Sequence, residues 1–218
     1  MTVELLNIDC MEYMKGLGDN AFDLAIVDPP YGIGCDRESK QSENSSKRWN
    51  KPIKKGYESK EWDNSRPTKQ YFTELQRVSA NQIIWGGNYF SDMLEPTGGW
   101  IVWEKGVPDN MTLSQAELAY NSLLNSVRVC KILWAGFRKC EDANRIHPTQ
   151  KPKKLYKWLL ENYAKPNQRI LDTHLGSGSS AIAAHYFGCD FVGCELDEDY
   201  YNAAKKRFDT ETMQKALF

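Results

Sequence analysis

The chain has 218 residues, a formal net charge of −1, 41% hydrophobic residues and 26% charged residues. These values are typical of one globular domain with a sizeable core, and they exclude a polycation that binds nucleic acid over its whole surface. There is no apolar run long enough for a membrane span, and residues 1–5 lack the pattern of a secretory signal. We therefore expect a cytoplasmic protein that makes no membrane contact.

The cysteines and histidines do not have the spacing of a metal site. The chain contains six cysteines and three histidines, with no Cys-x-x-Cys pair among them. Zinc sites normally place their ligands in closely spaced pairs. We therefore expect free thiols and no bound metal.

Strand-like and helix-like segments alternate along the chain. Apolar runs predict strands at residues 3–8, 22–27, 82–85, 100–105, 117–120, 127–137, 169–171 and 190–194. Helical periodicity predicts helices at residues 10–17, 67–79, 152–164, 179–187 and 198–208. Such alternation is typical of an α/β fold with a mostly parallel central sheet. We expect the strands at 117–120 and 127–137 to form an antiparallel edge of that sheet.

The strand at 22–27 ends at Asp28, Pro29, Pro30 and Tyr31. Proline has no N–H group and a fixed φ, so neither proline can continue a sheet ladder. Open α/β sheets bind ligands at the carboxyl ends of their strands. There the carboxylate and the Pro29 carbonyl can accept both hydrogens of an exocyclic amine, while the tyrosine ring stacks on a planar heterocycle. The tetrapeptide alone also fits a turn that binds nothing.

Residues 32–66 show little apolar periodicity and predict a mobile basic insert. Residues 37–69 contain ten Lys or Arg and five Asp or Glu, and Trp49, Tyr57 and Trp62 are interspersed among them. Loops this long in compact domains are usually functional or disordered. We interpret the insert as a nucleic-acid-binding surface; the alternative is a solvated linker. The predicted contacts are Lys47, Arg48, Lys54 and Lys55.

The segment from residue 169 to 195 has the order strand, glycine turn, helix, strand, acid. Gly176 and Gly178 allow a tight turn close to a ligand, and Glu195 ends the next strand, where it can accept hydrogen bonds from ribose hydroxyls. The pattern also fits a nicotinamide or flavin enzyme, but only one strand and one helix follow it. Asp172 is unfavourable beside a pyrophosphate and favourable beside an ammonium group. A glycine turn that holds no ligand is a further alternative.

Taken together, these motifs resemble the DNA amino-methyltransferases that carry an Asp-Pro-Pro-Tyr motif. Their order resembles the beta class of that family, in which the catalytic half precedes the cofactor half. The resemblance implies a Rossmann-like, S-adenosylmethionine-dependent methyltransferase fold with permuted motif order. It covers most of the chain, and we expect residues 1–218 to form a single methyltransferase domain.

The resemblance also implies the residues of the site. The catalytic motif is Asp28, Pro29, Pro30 and Tyr31. The cofactor-binding positions that match the family's motifs are Asp9, Cys10, Asp28, Thr149, Gln150, Lys151, Asp172, Thr173, His174, Gly176, Ser177, Gly178, Glu195 and Leu196.

The implied reaction is methyl transfer from S-adenosyl-L-methionine to N6 of adenine in double-stranded DNA. The target base would be flipped out of the helix, and its amine would attack the methyl group directly. In the family, Asp at the first motif position favours adenine, and Ser there favours cytosine N4. A cytosine-N4 enzyme and a non-catalytic DNA-binding module that keeps the nucleoside pocket are the alternatives.

The chain departs from the family pattern in two places. Thr173 and His174 replace the usual Pro-Phe pair, and we expect His174 to fill the space of the aromatic ring. Only 26 residues separate Tyr120 from His147, which is too few for a large target-recognition domain. The basic insert or a specificity partner would then read the DNA sequence. Members of the beta class are often homodimers, and some act with a cognate restriction enzyme.

The insert interpretation predicts that charge reversal at Lys47, Arg48, Lys54 and Lys55 weakens DNA binding. Fewer released counterions should also make the logarithm of the affinity fall less steeply with the logarithm of salt concentration. Titrations of labelled duplex at several salt concentrations measure both effects. Unchanged affinity and slope would identify the insert as a linker.

Overall fold

The computed structural model describes residues 1–34, 63–111, 113–135, 138–140 and 145–213. The strands in these residues are β1 (Val3–Asn7), β2 (Leu24–Val27), β3 (Gln82–Trp85), β4 (Trp100–Glu104), β5 (Ala116–Asn121), β6 (Arg128–Lys131), β7 (Trp134–Ala135), β8 (Arg138–Lys139), β9 (Arg169–Asp172) and β10 (Asp190–Glu195). The helices are α1 (Cys10–Lys15), α2 (Lys69–Val78), α3 (Lys153–Tyr163), α4 (Ser179–Phe187) and α5 (Glu198–Met213). The α/β alternation predicted from the sequence is confirmed.

Eight strands form one mixed sheet in the order β1-β10-β9-β2-β3-β5-β4-β6. The neighbours from β1 to β3 are all parallel, β5 is antiparallel to both β3 and β4, and β6 is parallel to β4. The reversed strand β5 therefore lies inside the sheet. The antiparallel edge that the sequence predicted is wrong. The predicted strand at 127–137 is also divided, because β6 ends at Lys131 and β7 pairs with β8 in a separate two-stranded sheet.

Helices cover both faces of the sheet, which explains why the central strands are apolar throughout. Alternate residues of each strand point to opposite faces. Leu24 and Ile26 of β2 pack in one cluster with α3 and α4, whereas Ala25 and Val27 pack in a second cluster with residues of α1 and α2. The buried residues of α2, at helical spacing, are Tyr71, Phe72, Leu75 and Val78.

The topology brings several chain segments together at one sheet edge. The parallel strands β1, β10, β9, β2 and β3 all end at this edge, and β2 and β9 are direct neighbours. The chain leaves β2 for α2 on one face and leaves β9 for α4 on the other. Such a switch point opens a crevice outside the carboxyl ends of the strands. The two motifs that the sequence singled out therefore lie on either side of this crevice.

The predicted DNA contacts Lys47, Arg48, Lys54 and Lys55 lie outside the described residues, as does most of the basic insert. In the described part of the chain, no helix combines the length and the apolarity that a membrane span requires. The same part contains no group of three or more His, Cys, Asp or Glu side chains that could hold a metal ion.

Candidate active site

Asp28 lies directly after β2 and is held in place by hydrogen bonds to both of its carboxylate oxygens. The Tyr31 hydroxyl donates to Oδ1 at 2.7 Å, and the Lys151 ammonium donates to Oδ2 at 2.5 Å. The Asp28 side chain is 16% exposed, so the carboxylate is within reach of a ligand. The turn at Pro29 and Pro30 thus presents a fixed acceptor at the strand-end crevice.

The Tyr31 ring is packed between residues that follow β3. It stacks on Tyr89 with centroids 4.9 Å apart and planes 16° apart, and a Cβ added at Gly86 would come within 2.2 Å of the ring. Gly86 also has a φ of +69°, a conformation that favours glycine. Tyr89 therefore already covers one face of the Tyr31 ring, and stacking of Tyr31 on a heterocycle stays a prediction.

Two cavities meet at Asp28. The first, which we call the aromatic cavity, has a volume of about 480 Å³ and is lined by Tyr31, Tyr89, Trp103 and Trp134 among others. The second, which we call the strand-end cavity, has a volume of about 640 Å³ and lies over the ends of β1, β9 and β10. The residues that line both are Asp28, Pro30, Thr149, Gln150 and Lys151.

The strand-end cavity contains most of the residues that the sequence assigned to a cofactor. Twelve of those fourteen positions line it, namely Asp9, Cys10, Asp28, Thr149, Gln150, Lys151, Thr173, His174, Gly176, Ser177, Glu195 and Leu196. The remaining two, Asp172 and Gly178, do not line it; they flank the glycine loop, residues 173–177. Gly178 has a φ of +71° and is the N-cap of α4, and a Cβ added there would meet Ala204 of α5 at 3.3 Å.

Glu195, at the end of β10, shapes the glycine loop. Its Oε2 accepts a hydrogen bond from the Gly176 N–H at 2.8 Å, and its Oε1 accepts one from the Asp197 N–H at 3.0 Å. Burial raises the pKa of this carboxyl, which these backbone N–H groups oppose. Each carboxylate oxygen keeps a further lone pair, so Glu195 can also accept hydrogen bonds from ligand hydroxyls.

Asp172 does not line the strand-end cavity. It is 1% exposed, and its oxygens accept hydrogen bonds from the Ser180 hydroxyl at 2.6 Å and the His174 N–H at 3.0 Å. Asp172 therefore connects the residues after β9 to the start of α4. Its place beside a ligand ammonium group stays a prediction.

Thr173 and His174 fill the position of the family's usual Pro-Phe pair. The Thr173 hydroxyl is 2.6 Å from the Tyr71 hydroxyl and 2.9 Å from His174 Nδ1, and the imidazole packs edge-on against the Tyr71 ring. Burial lowers the pKa of His174 to about 4, so the ring is neutral at pH 7. The imidazole therefore packs on Tyr71 and also lines the strand-end cavity.

Lys151 lies between two carboxylates. It is paired with Asp28 and also with Glu117 of β5, whose Oε2 is 3.3 Å from the ammonium. Burial alone would lower the pKa of Lys151, but the carboxylates of Asp28 and Glu117 outweigh this and raise it. The sequence assigns Lys151 to the cofactor, and Lys151 does line the strand-end cavity. Its ammonium also contacts Asp28, an ion pair that the sequence did not predict.

Glu117 and Tyr89 line the aromatic cavity but were not identified from the sequence. Tyr89 follows the carboxyl end of β3, the strand next to β2. This position in the sequence could have identified Tyr89 as a candidate site residue. Glu117 is the second residue of the reversed strand β5 and pairs with Trp103 near the end of β4, so only the strand direction reveals its place. Its second partner is Lys105, whose Nζ is 3.0 Å from Oε1.

Comparisons with known proteins agree with this geometry. Residues 58–206 match the family described as DNA methylase, which covers N6 and N4 enzymes. The chain is 27% identical to YubD of Escherichia coli K12, whose name includes the word methylase, over 96% of this chain and 90% of YubD. It is 23% identical to the type II methyltransferase M.HpaI of Haemophilus parainfluenzae, over 97% of this chain and 76% of that enzyme.

Solved structures show the same fold. The complex of M1.HpyAVI with S-adenosylmethionine matches with a TM-score of 0.60 at 19% identity, over 94% of this chain and 100% of that one. The cytosine-N4-specific PvuII DNA methyltransferase matches with a TM-score of 0.62 at 11% identity, over 98% of this chain and 91% of that one. The predicted methyltransferase fold is thereby confirmed.

The matched segment covers more than half of the chain, and the chain therefore belongs to the DNA methylase family. This confirms the family resemblance that the sequence motifs indicated.

The burial of the Asp172 carboxyl predicts how the free energy of unfolding depends on pH. Burial raises the pKa of its carboxyl from 3.8 to about 7, so between these values the folded protein holds a proton that the unfolded chain has released. The Asp172 contribution to the free energy of unfolding should therefore fall as pH rises from 4 to 7. Over this range the free energy of unfolding of Asp172→Asn should rise by about 4 kcal/mol relative to that of the wild type, at roughly 1.4 kcal/mol per pH unit.

Urea denaturation of both proteins at pH 4.5, 5.5, 6.5 and 7.5 measures this difference. His147 and His174, whose pKa values are lowered to about 4, contribute the opposite slope, but they do so equally in both proteins. Asp190→Asn is the matched control. Hydrogen bonds from Thr2 lower the pKa of Asp190, so its ionisation changes the free energy of unfolding only at low pH. A difference between Asp172→Asn and wild type that stays constant across the range would refute the prediction.

Proposed function

We propose that this protein is an S-adenosyl-L-methionine-dependent DNA methyltransferase that methylates N6 of adenine. The observation that carries the proposal is the position of Asp28, where the two cavities meet. A carboxylate at this junction can hold an amine from one cavity against a donor in the other. Membership of the DNA methylase family supports both the reaction class and the substrate class.

The strand-end cavity fits the cofactor. Its volume of about 640 Å³ lies within the range of ligand pockets, roughly 300–1,000 Å³. Glu195 has lone pairs for ribose hydroxyls, and Asp9 caps α1 through Oδ1, to which the Met11 N–H donates at 2.7 Å, so that Oδ2 can still accept from an adenine amine. The neighbouring structure of M1.HpyAVI is a complex with S-adenosylmethionine.

The cofactor supplies a methyl group on a positively charged sulfur. An adenine amine is a poor nucleophile because its lone pair is delocalised into the ring. Hydrogen bonds from this amine to Asp28 and to the Pro29 carbonyl favour a pyramidal nitrogen with a localised lone pair. Fixed positioning supplies much of the remaining rate, since reacting atoms must be held about 3–3.5 Å apart.

In this proposal the aromatic cavity receives the target base. A base inside duplex DNA cannot reach Asp28, so it must leave the stack and enter the cavity. Tyr89, which is 37% exposed, and Trp103 line this cavity and provide aromatic surface for a flipped base. The chain acts as one methyltransferase domain, and sequence readout is left to the basic insert or to a partner.

Adenine is proposed over cytosine because the family resemblance associates Asp at position 28 with N6 transfer. The fold does not choose between the two bases, since the cytosine-N4-specific PvuII enzyme matches the chain as well as M1.HpyAVI does. The product therefore has to be identified chemically.

A methyl-transfer assay tests the proposal. Purified protein is incubated with labelled S-adenosyl-L-methionine and unmethylated plasmid DNA, and the product nucleosides are identified by mass spectrometry. N6-methyladenine is the expected product. N4-methylcytosine would keep the mechanism and change the substrate, whereas cofactor binding without DNA methylation would favour a binding-only protein.

Substitution of Asp28 tests the proposed mechanism. Asp28→Ala should abolish methyl transfer, because the amine loses its charged acceptor, and it should leave the cofactor affinity within about threefold of wild type. Asp28→Asn keeps the side-chain volume and should also be inactive. Asp92→Ala, which removes an exposed ion pair with Arg66, is the control and should retain full activity. Full activity in Asp28→Ala would disprove the mechanism.

A further inference from the structure

The Lys151 ammonium is shared by two carboxylates. Its Nζ lies 2.5 Å from Asp28 Oδ2 and 3.3 Å from Glu117 Oε2, and it also donates to the Tyr31 hydroxyl at 3.2 Å. Only 4% of the Lys151 side chain is exposed, so solvent cannot replace either partner. A small displacement of this ammonium away from Asp28 would leave it paired with Glu117 alone.

The proposed reaction makes the present position of Lys151 unfavourable. Methyl transfer moves a positive charge from sulfur to the amine nitrogen, which must lie beside Asp28. An ammonium 2.5 Å from the same carboxylate repels that developing charge, and in a buried site the repulsion is weakly screened. The ammonium also occupies the Asp28 oxygen that faces it. The target amine would therefore hydrogen-bond best to Asp28 after Lys151 has moved away.

Glu117 is suited to receive the ammonium. Its Oε1 is engaged by Lys105 at 3.0 Å, while its Oε2 faces Lys151, so the two lysines do not compete for one oxygen. The two carboxylates, Asp28 and Glu117, and the two ammonium groups, Lys105 and Lys151, have a net charge of zero. This sum is the same whichever carboxylate Lys151 contacts. Lys151 also lies 5.5 Å from the Trp85 ring centroid, and this aromatic surface can stabilise an ammonium near it.

We propose that Glu117 is a positioning residue that draws Lys151 off Asp28 when the target amine enters the aromatic cavity. Lys151 then serves as the counter-ion of both Asp28 and Glu117 before the base arrives and as the counter-ion of Glu117 alone during transfer. This inference rests on the proposed function, since it assigns a task within that reaction. Glu117 acts through Lys151 and does not itself contact the reacting atoms.

The test compares Glu117→Gln, Lys151→Met and the double variant. In Glu117→Gln the ammonium has no second carboxylate and stays on Asp28. The single-turnover rate of methyl transfer to plasmid DNA should therefore fall by at least about tenfold, while the affinity for S-adenosyl-L-methionine stays within about twofold. The double variant leaves Asp28 free to accept the amine, so it should recover most of the rate that Glu117→Gln loses.

Glu104→Gln is the matched control. Glu104 pairs with Lys131 at 3.2 Å at the end of β4, and 48% of its side chain is exposed. The same chemical change there should leave the rate unaltered. Melting temperatures of all variants establish that the rates are compared among folded proteins.

The outcomes separate this inference from the function on which it rests. A wild-type protein that transfers no methyl group to DNA would refute the proposed function and the inference with it. With an active wild type, an unchanged rate in Glu117→Gln would overturn the inference alone. A double variant as slow as Glu117→Gln would also overturn it, because the defect would then not come from Lys151 on Asp28.

Discussion

The candidate site depends on one buried group of ion pairs around Lys151. Asp28 and Glu117 are carboxylates in a largely desolvated place, and each alone would cost several kcal/mol to keep charged. Lys151 and Lys105 offset that cost by matching the two negative charges. The partners come from the end of β2, from β4 and β5, and from the segment before α3. The electrostatic requirement of the site therefore also fixes how distant parts of the chain pack together.

The direction of β5 explains why this group exists. In the parallel part of the sheet, residues at or just after a strand's carboxyl end reach the crevice, as Asp28, Thr173 and Glu195 do. Because β5 is reversed, its first residues lie at that same edge, beside the end of β4. Parallel strands alone would contribute side chains to the crevice only from their carboxyl ends. The antiparallel strand β5 adds a carboxylate, Glu117, from its beginning.

The sequence predicted the parts of the site that depend on local chain order. Asp28, Gly176 and Glu195 directly follow predicted strands or turns, and parallel strands bring such positions to one edge. Glu117 and the ion pair between Lys151 and Asp28 were missed because they depend on strand direction and on packing between distant segments. The contacts of Asp172 were missed for a related reason: local sequence places its side chain at a strand end but does not determine which groups the carboxylate meets.

The geometry of the crevice does not fix the order of the two motifs along the chain. Leu24 of β2 pairs with Ile170 of β9, so the strands that carry the two motifs are neighbours although they lie far apart in sequence. Both strands end at the crevice, and their following helices pack on opposite faces. The crevice therefore requires only that the two strands be adjacent and parallel. Either motif could come first in the sequence and still reach the same crevice.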